Sequence, residues 1–214
     1  AYLMMHTGVG CKYKAGAQLS SHDWVRHPNQ HEAWTQVSEM ALIKGAGDRI
    51  GPFVRSYWER RKPGVMVLVS AYFLELIGDD IASFVSDAAK TVPCPLLYVG
   101  TEAPNNGFFG GFAHTQYQML SQLPFKSEPP TEARQATIIG SFFTRYEQDC
   151  LADAAQFKRL VKAAGLNLGP TFFSGRPWPE LEEGWRSKYV IQLPYLHPVD
   201  KKVKRLMANR TVVK

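Results

Sequence analysis

Val65-Met66-Val67-Leu68-Val69 is a run of five apolar residues, bounded by Lys62-Pro63-Gly64 on one side and Ser70 on the other. A strand with one wet face alternates apolar and polar residues. An unbroken apolar run this short is what a strand covered on both faces of a parallel sheet requires. Its flanks agree. Upstream, Ile50, Phe53, Val54, Tyr57 and Trp58 recur at i, i+3, i+4, i+7 and i+8, one face of a helix. Asp48 stands where an N-cap belongs, Pro52 is tolerable in a first turn, and Lys62-Pro63-Gly64 ends the element. Downstream, Ile81, Phe84, Val85, Ala88 and Ala89 make a second helical stripe, and Leu96–Val99 follows Pro93 and Pro95 as the next strand. This alternation predicts right-handed crossovers and a parallel sheet.

Outward from that unit, Ala1–Met5 reads as a strand feeding the turn His6-Thr7-Gly8-Val9-Gly10, while the polar stretch holding His22, His27 and His31 matches no periodic pattern. Asn105–Gly111 reads as a glycine-rich loop before a helix over His114–Leu123, and Pro124–Arg134, with Pro129-Pro130, has a linker's composition. The α/β pattern then restarts. Ala136–Phe143 is strand-like, and Leu151, Ala154, Phe157, Leu160, Val161 and Ala164 form a helical face stopped by Gly165. Thr171–Phe173 and Tyr189–Leu193 follow as strands. The expected fold is α/β: stacked Rossmann-like domains with parallel sheets flanked by helices. A first domain spans 1–124, a linker 125–135, and a second domain 136–214, which reads as incomplete before its last strands.

Bulk properties exclude several classes. With 214 residues, 45% hydrophobic and 21% charged, the chain has an ordinary globular composition. No stretch approaches the roughly 18 uninterrupted apolar residues of a membrane helix, so no membrane role is expected. The start Ala1–Met5 is too short for a signal peptide, and an opening strand without an initiator methionine suggests a true N-terminus upstream. Of the net charge of +6, residues 200–214 hold +5: Lys201, Lys202, Lys204, Arg205, Arg210 and Lys214 against Asp200. That leaves +1 for everything else, which points to a solvated helix face and no nucleic-acid partner. Cys11, Cys94 and Cys150 form neither a disulfide framework nor a CxxC pair, which suits a reducing cytoplasm.

Gly8-Val9-Gly10-Cys11 is the sharpest candidate for chemistry. Ligands of α/β folds sit in crevices at the carboxyl ends of parallel strands, and glycines let backbone approach a bulky cofactor. A thiolate there suits a cluster ligand; it equally suits a nucleophile with His6 as base, or a buried structural cysteine. In Leu76-Ile77-Gly78-Asp79-Asp80-Ile81, one acid is explained by helix capping; the pair also fits metal binding or acid–base work. Asn105–Gly111 lacks the Lys-Ser/Thr of a phosphate-binding P-loop, and Gly45-Ala46-Gly47 lacks the third glycine of a dinucleotide fingerprint.

Taken in order, these segments resemble the component 1 family of nitrogenase, with its cofactor-assembly scaffolds and its protochlorophyllide and chlorophyllide reductases. The landmarks are the Gly-x-Gly-Cys turn at 8–11, Lys44-Gly45-Ala46-Gly47, Leu76–Ile81 and Val92-Pro93-x-Pro95. The restart Ala136–Glu147 and Ser174-Gly175-Arg176-Pro177 complete the series. The resemblance implies a subunit paired with a homologous α-type subunit around an iron–sulfur cluster, fed by an ATP-dependent iron–sulfur reductase. Carried over by position, Cys11 becomes a metal ligand, and Gly8 and Gly10 line the cluster. Tyr72 stands where the catalytic subunits have a further cluster cysteine, and Pro194 where they have the cysteine of the molybdenum–iron cofactor. Another ligand of the family lies upstream of Ala1. These departures imply a β-type subunit that contributes one ligand, or a divergent relative. The expected function is an oxidoreductase subunit relaying electrons through the shared cluster to a bound substrate. The alternatives are a non-catalytic scaffold for metallocofactor assembly and an unrelated two-domain nucleotide-binding protein.

Overall fold

The computed structural model describes residues 2–20, 32–101, 107–141, 150–174 and 177–214. They belong to two compact units, Ala1–Asn105 and Asn106–Lys214. The polar stretch with His22, His27 and His31, and the Gly175-Arg176 step, lie outside the described residues.

The first unit begins with β1 (Tyr2–His6), α1 (Val9–Ser20), β2 (Glu32–Trp34), α2 (Glu39–Lys44), a 3-10 turn at Gly47–Arg49 and α3 (Ile50–Arg61). It continues with β3 (Met66–Ser70), α4 (Tyr72–Leu76), α5 (Ile81–Ala89) and β4 (Leu96–Val99). The sheet runs β2-β1-β3-β4, every pair parallel, with His6 opposite Ser70. The apolar run that predicted β3 occupies an interior position, as double-sided cover demands. Tyr2, Met4, Met66 and Leu68 pack with Ile50, Val54, Ile81 and Val85 of α3 and α5. Lys62 closes α3 in a left-handed conformation, its amide donating to the Trp58 carbonyl. Asp48, expected as the cap of α3, instead sits inside the 3-10 turn and makes no cap bond there; α3 continues directly from that turn.

The second unit comprises α6 (Gly107–Ser121), β5 (Glu132–Ile139), α7 (Cys150–Ala163), β6 (Asn167–Thr171) and α8 (Trp178–Trp185). It closes with β7 (Ser187–Gln192), a 3-10 segment at Pro194–Val199, α9 (Asp200–Leu206) and β8 (Thr211–Val213). Its sheet, β6-β5-β7-β8, is again wholly parallel and repeats the strand order of the first. Several sequence expectations differ here, among them the strand expected at Thr171–Phe173, which instead runs over Asn167–Thr171 and ends where that reading began. Helix α6 starts at Gly107, so Gly110 and Gly111 are helical; Ala113, Gln116 and Leu120 are buried along one stripe, and that packing overrides the low propensity of glycine. Because Ala113 and Leu120 join the core of Phe172, Trp185 and Leu196, α6 belongs with the second unit, and the division falls near 105 where sequence composition put it at 125–135. Strand β5 begins at Glu132, inside that stretch, because Glu132 already pairs with Ser187. Helix α8 and strand β8 had no sequence assignment, and β8 supplies the sheet with a fourth strand.

At the carboxyl edge of the first sheet, two motifs that the sequence presents separately form one clasp. The Asp79 Oδ2 accepts from the Ala46 amide at 2.8 Å. Gly45, at φ +88°, brings its Cα so close that a Cβ would lie 3.2 Å from Asp79 Oδ1. Asp80 caps α5 instead, accepting from the Ser83 amide and hydroxyl, and these bonds hold its carboxyl below the ordinary value. Beneath the clasp His6 is fully buried, Nδ1 bonded to Thr35 Oγ1 at 2.9 Å and Nε2 without a protein partner. Burial, opposed by the Asp79 charge, pushes its pKa down to about 4.

Stability should respond at both residues. Replacing Asp79 by Ala leaves the amide of buried Ala46 unpaired and costs about 1–3 kcal/mol in urea unfolding, whereas Asp79→Asn, which keeps an acceptor, costs less. The His6 contribution is fully present above the unfolded value of 6.5 and is lost as pH falls from 6.5 through about 4, because the unfolded chain binds the extra proton first. The difference amounts to about 3 kcal/mol. Urea titrations between pH 7 and pH 4 should show a shallower loss for His6→Gln than for the wild-type chain.

Candidate functional site

In the sheet order β2-β1-β3-β4 the chain moves outward in opposite directions from β1 and β3, so the crevice between their carboxyl ends is a topological switch point. The turn after β1 leads to Cys11, and the turn after β3 leads to Tyr72. Backbone bonds interlock these turns with the β2 loop: Ala71 N to His6 O, Val37 N to Thr7 O and Thr35 N to Met5 O, each 3.0 Å. The edge is therefore held by main chain, whatever the side chains are.

Gly8 precedes α1, and its carbonyl accepts from the Lys12 amide; Val9, Gly10 and Cys11 form the first turn. Cys11 is exposed and unbridged. A Cβ on Gly10 would meet nothing within 4 Å, so its surroundings are open; one on Gly8 would lie 3.3 Å from the Val37 carbonyl, so Gly8 packs against the β2 loop. Lys12 Nζ lies 3.7 Å from the centre of the Trp34 ring, tying α1 to β2. Tyr72, at 37% exposure, opens α4.

The structure separates several residues that sequence left together. His6 shares the β1 face of Tyr2 and Met4, is fully buried, and has its Nδ1 bonded to Thr35, whereas Cys11 is exposed. The exposed thiol likewise ends the reading of Cys11 as a buried structural cysteine. Cys94 precedes β4 and lies at the amino edge of the sheet, where burial pushes its thiol up. Asp79 and Asp80 serve as clasp and cap. Among the described residues no three His, Cys, Asp or Glu side chains gather as a metal site. The donors among the described residues do not make up a self-contained cluster site; Cys11 could supply one ligand to a cluster completed by other donors.

Sequence reading missed the polar layer beside Tyr72. Glu75 Oε1 accepts from Ser70 Oγ at 2.6 Å, from Tyr98 OH at 3.2 Å and from the Thr101 amide at 2.9 Å, and Ser70 Oγ lies 3.0 Å from Tyr98 OH. Burial, reinforced by the Glu75 charge, pushes the Tyr98 phenol up to about 12. It also missed the apolar groups left bare on the segments that leave the carboxyl ends of β1, β2 and β3. These are Val9 and Tyr13 on α1, Met40 and Ile43 on α2, and Leu76 and Ile77 after β3. Their spacing within each helix was the only available signal. In the second unit the equivalent edge carries Gly140, whose Cβ would lie 2.8 Å from Leu196 Cγ, and Pro194, which starts a 3-10 segment.

Comparison with known proteins agrees with the fold. A protein from Nostoc sp. (strain PCC 7120), named nitrogenase iron-molybdenum cofactor biosynthesis protein NifN, is 27% identical over 168 residues, covering 76% of this chain and 35% of that protein. Two solved structures, described as nitrogenase Cp1 at pH 6.5 and at pH 5, share the fold. The first has a TM-score of 0.75 at 18% identity, over all of this chain and 50% of that one. The second has a TM-score of 0.71 at 13% identity, over 95% and 41%. The chain therefore spans about a third of the curated relative and half or less of the solved chains. No helix among the described residues is long and apolar enough to cross a membrane. The family model for nitrogenase component 1 type oxidoreductases matches residues 1–211, which overturns the alternative of an unrelated nucleotide-binding protein: the chain belongs to the nitrogenase component 1 type oxidoreductase family.

Proposed function

We propose that this chain is a β-type subunit whose Cys11 thiolate binds an iron–sulfur cluster shared with a homologous α-type subunit. The cluster would pass electrons from an ATP-dependent iron–sulfur reductase to a substrate held by the assembly. One observation carries the reading: the exposed thiol stands on the first turn of a helix at the topological switch point, where this fold places ligands. Gly10 leaves open space beside it, and Tyr72 flanks the same crevice. When bound, the cluster supplies low-potential electron transfer. The residues of this chain hold one edge of it, keep the turn rigid and leave the rest to partner ligands. The bare apolar side chains Val9 and Tyr13, two residues either side of Cys11, favour a protein partner over open water at this edge. The reducing conditions that keep such a thiol free are those of the cytoplasm.

A second reading is favoured by the relative named as a cofactor biosynthesis protein. There the same thiolate would hold a cluster on a scaffold, and the finished cofactor would be handed on. Incubating the loaded assembly with reductant and ATP separates the two. Turnover of a substrate supports the relay, and release of intact cofactor to an acceptor protein supports the scaffold.

Cys11→Ser tests the shared premise. In the complex purified with its partner, the variant should lose or alter the electron paramagnetic resonance signal of the cluster. Its unfolding free energy should move by less than about 0.5 kcal/mol, because the side chain is exposed. A spectrum identical to wild type would remove Cys11 from the ligand set.

A further inference from the structure

We infer that Glu75 is a positioning residue: its carboxylate holds α4 so that Tyr72 stays fixed at the switch-point crevice beside the Cys11 turn. The inference rests on the proposed cluster site. Helix α4 has only five residues, Tyr72–Leu76, far fewer than a helix needs to persist unaided. Its N-cap, Ala71, offers no side-chain acceptor. Something else must orient it. Leu74, fully buried with Val37, Ala41 and Ala46, anchors one side. On the other side Glu75, half-buried, gathers three donors on one oxygen: the Ser70 hydroxyl from the end of β3, the Tyr98 hydroxyl from β4 and the Thr101 amide from beyond β4.

Bonds to an ionised acceptor are the strong ones, and each of these donors comes from a different position along the sheet edge. Together they fix the carboxylate against two strands. Tyr72 and Glu75 are three residues apart, hence neighbours on one side of the helix, so fixing one limits the other. The high pKa of Tyr98 keeps it a neutral donor at every working pH. Gly100 leaves room for this arrangement: a Cβ there would lie 3.3 Å from Glu75 Oε1 and crowd the carboxylate.

The test labels the whole protein with 3-fluorotyrosine at position 72 and compares wild type, Glu75→Ala and Glu75→Gln. In Glu75→Ala the fluorine resonance should shift or broaden, and exchange at the Leu74, Ile77 and Thr101 amides should rise at least about tenfold relative to β1 amides. Glu75→Gln keeps an acceptor oxygen and should restore both. A merely structural glutamate would lower the melting temperature while leaving the Tyr72 resonance in place, and that result overturns the proposal. So does a Gln variant that fails to rescue while remaining folded. The cluster spectrum of Cys11→Ser is read separately: if it equals wild type, the relay reading falls, while the fluorine result still decides whether Glu75 holds Tyr72.

Discussion

Parallel pairing of β1 with β3, His6 opposite Ser70, sets the geometry of the candidate site. Two adjacent parallel strands end at the same level, and the connections leaving them diverge because β2 lies on one side and β4 on the other. The crevice this opens is a property of strand order alone. Backbone bonds from Ala71, Val37 and Thr35 then fasten the three outgoing loops to one another. Cys11 and Tyr72 stand on a rigid rim for that reason, and the rim would survive most changes of side chain around it.

Below the rim, polar residues divide into two groups. His6, Thr35, Ala46 and Asp79 close the side toward α3, and Ser70, Glu75, Tyr98 and Thr101 close the side toward β4. Both bury polar atoms at a place where water would otherwise enter, which is tolerable because most of those atoms are paired. Among the described residues, His6 Nε2, Thr7 Oγ1 and Thr101 Oγ1 are buried there without a protein partner. Acids that a motif search would assign to metal or proton chemistry are thus accounted for by capping, clasping and loop support. The thiol of Cys11, by contrast, is exposed and unbridged.

The two units share one plan, with strand orders β2-β1-β3-β4 and β6-β5-β7-β8, yet differ at the equivalent edge. The first offers a thiol on an open helix start. The second, among its described residues, offers Gly140 pressed against Leu196 and Pro194 opening a 3-10 segment, with no cysteine at that point. The same strand order therefore carries an exposed thiol at one edge and, among the described residues, close packing at the other, while the family match over residues 1–211 spans both units.

Much was legible in the sequence because periodicity survives without tertiary context. The run Val65–Val69 specified an interior parallel strand, the stripes at Ile50–Trp58 and Ile81–Ala89 specified its flanking helices, and Gly8-Val9-Gly10-Cys11 placed a thiol after a strand. What sequence could not determine were relations between segments distant in the chain. That Asp79 closes on Ala46, that His6 bonds Thr35, and that Glu75 binds Ser70, Tyr98 and Thr101 all depend on which strands become neighbours. The glycine-rich start of α6, Gly107–Gly111, was hidden for a related reason: local propensity argues against a helix there, and burial of Ala113, Gln116 and Leu120 along the same helix supports it. Local chemistry is written residue by residue, whereas burial and pairing exist only once the sheet has formed.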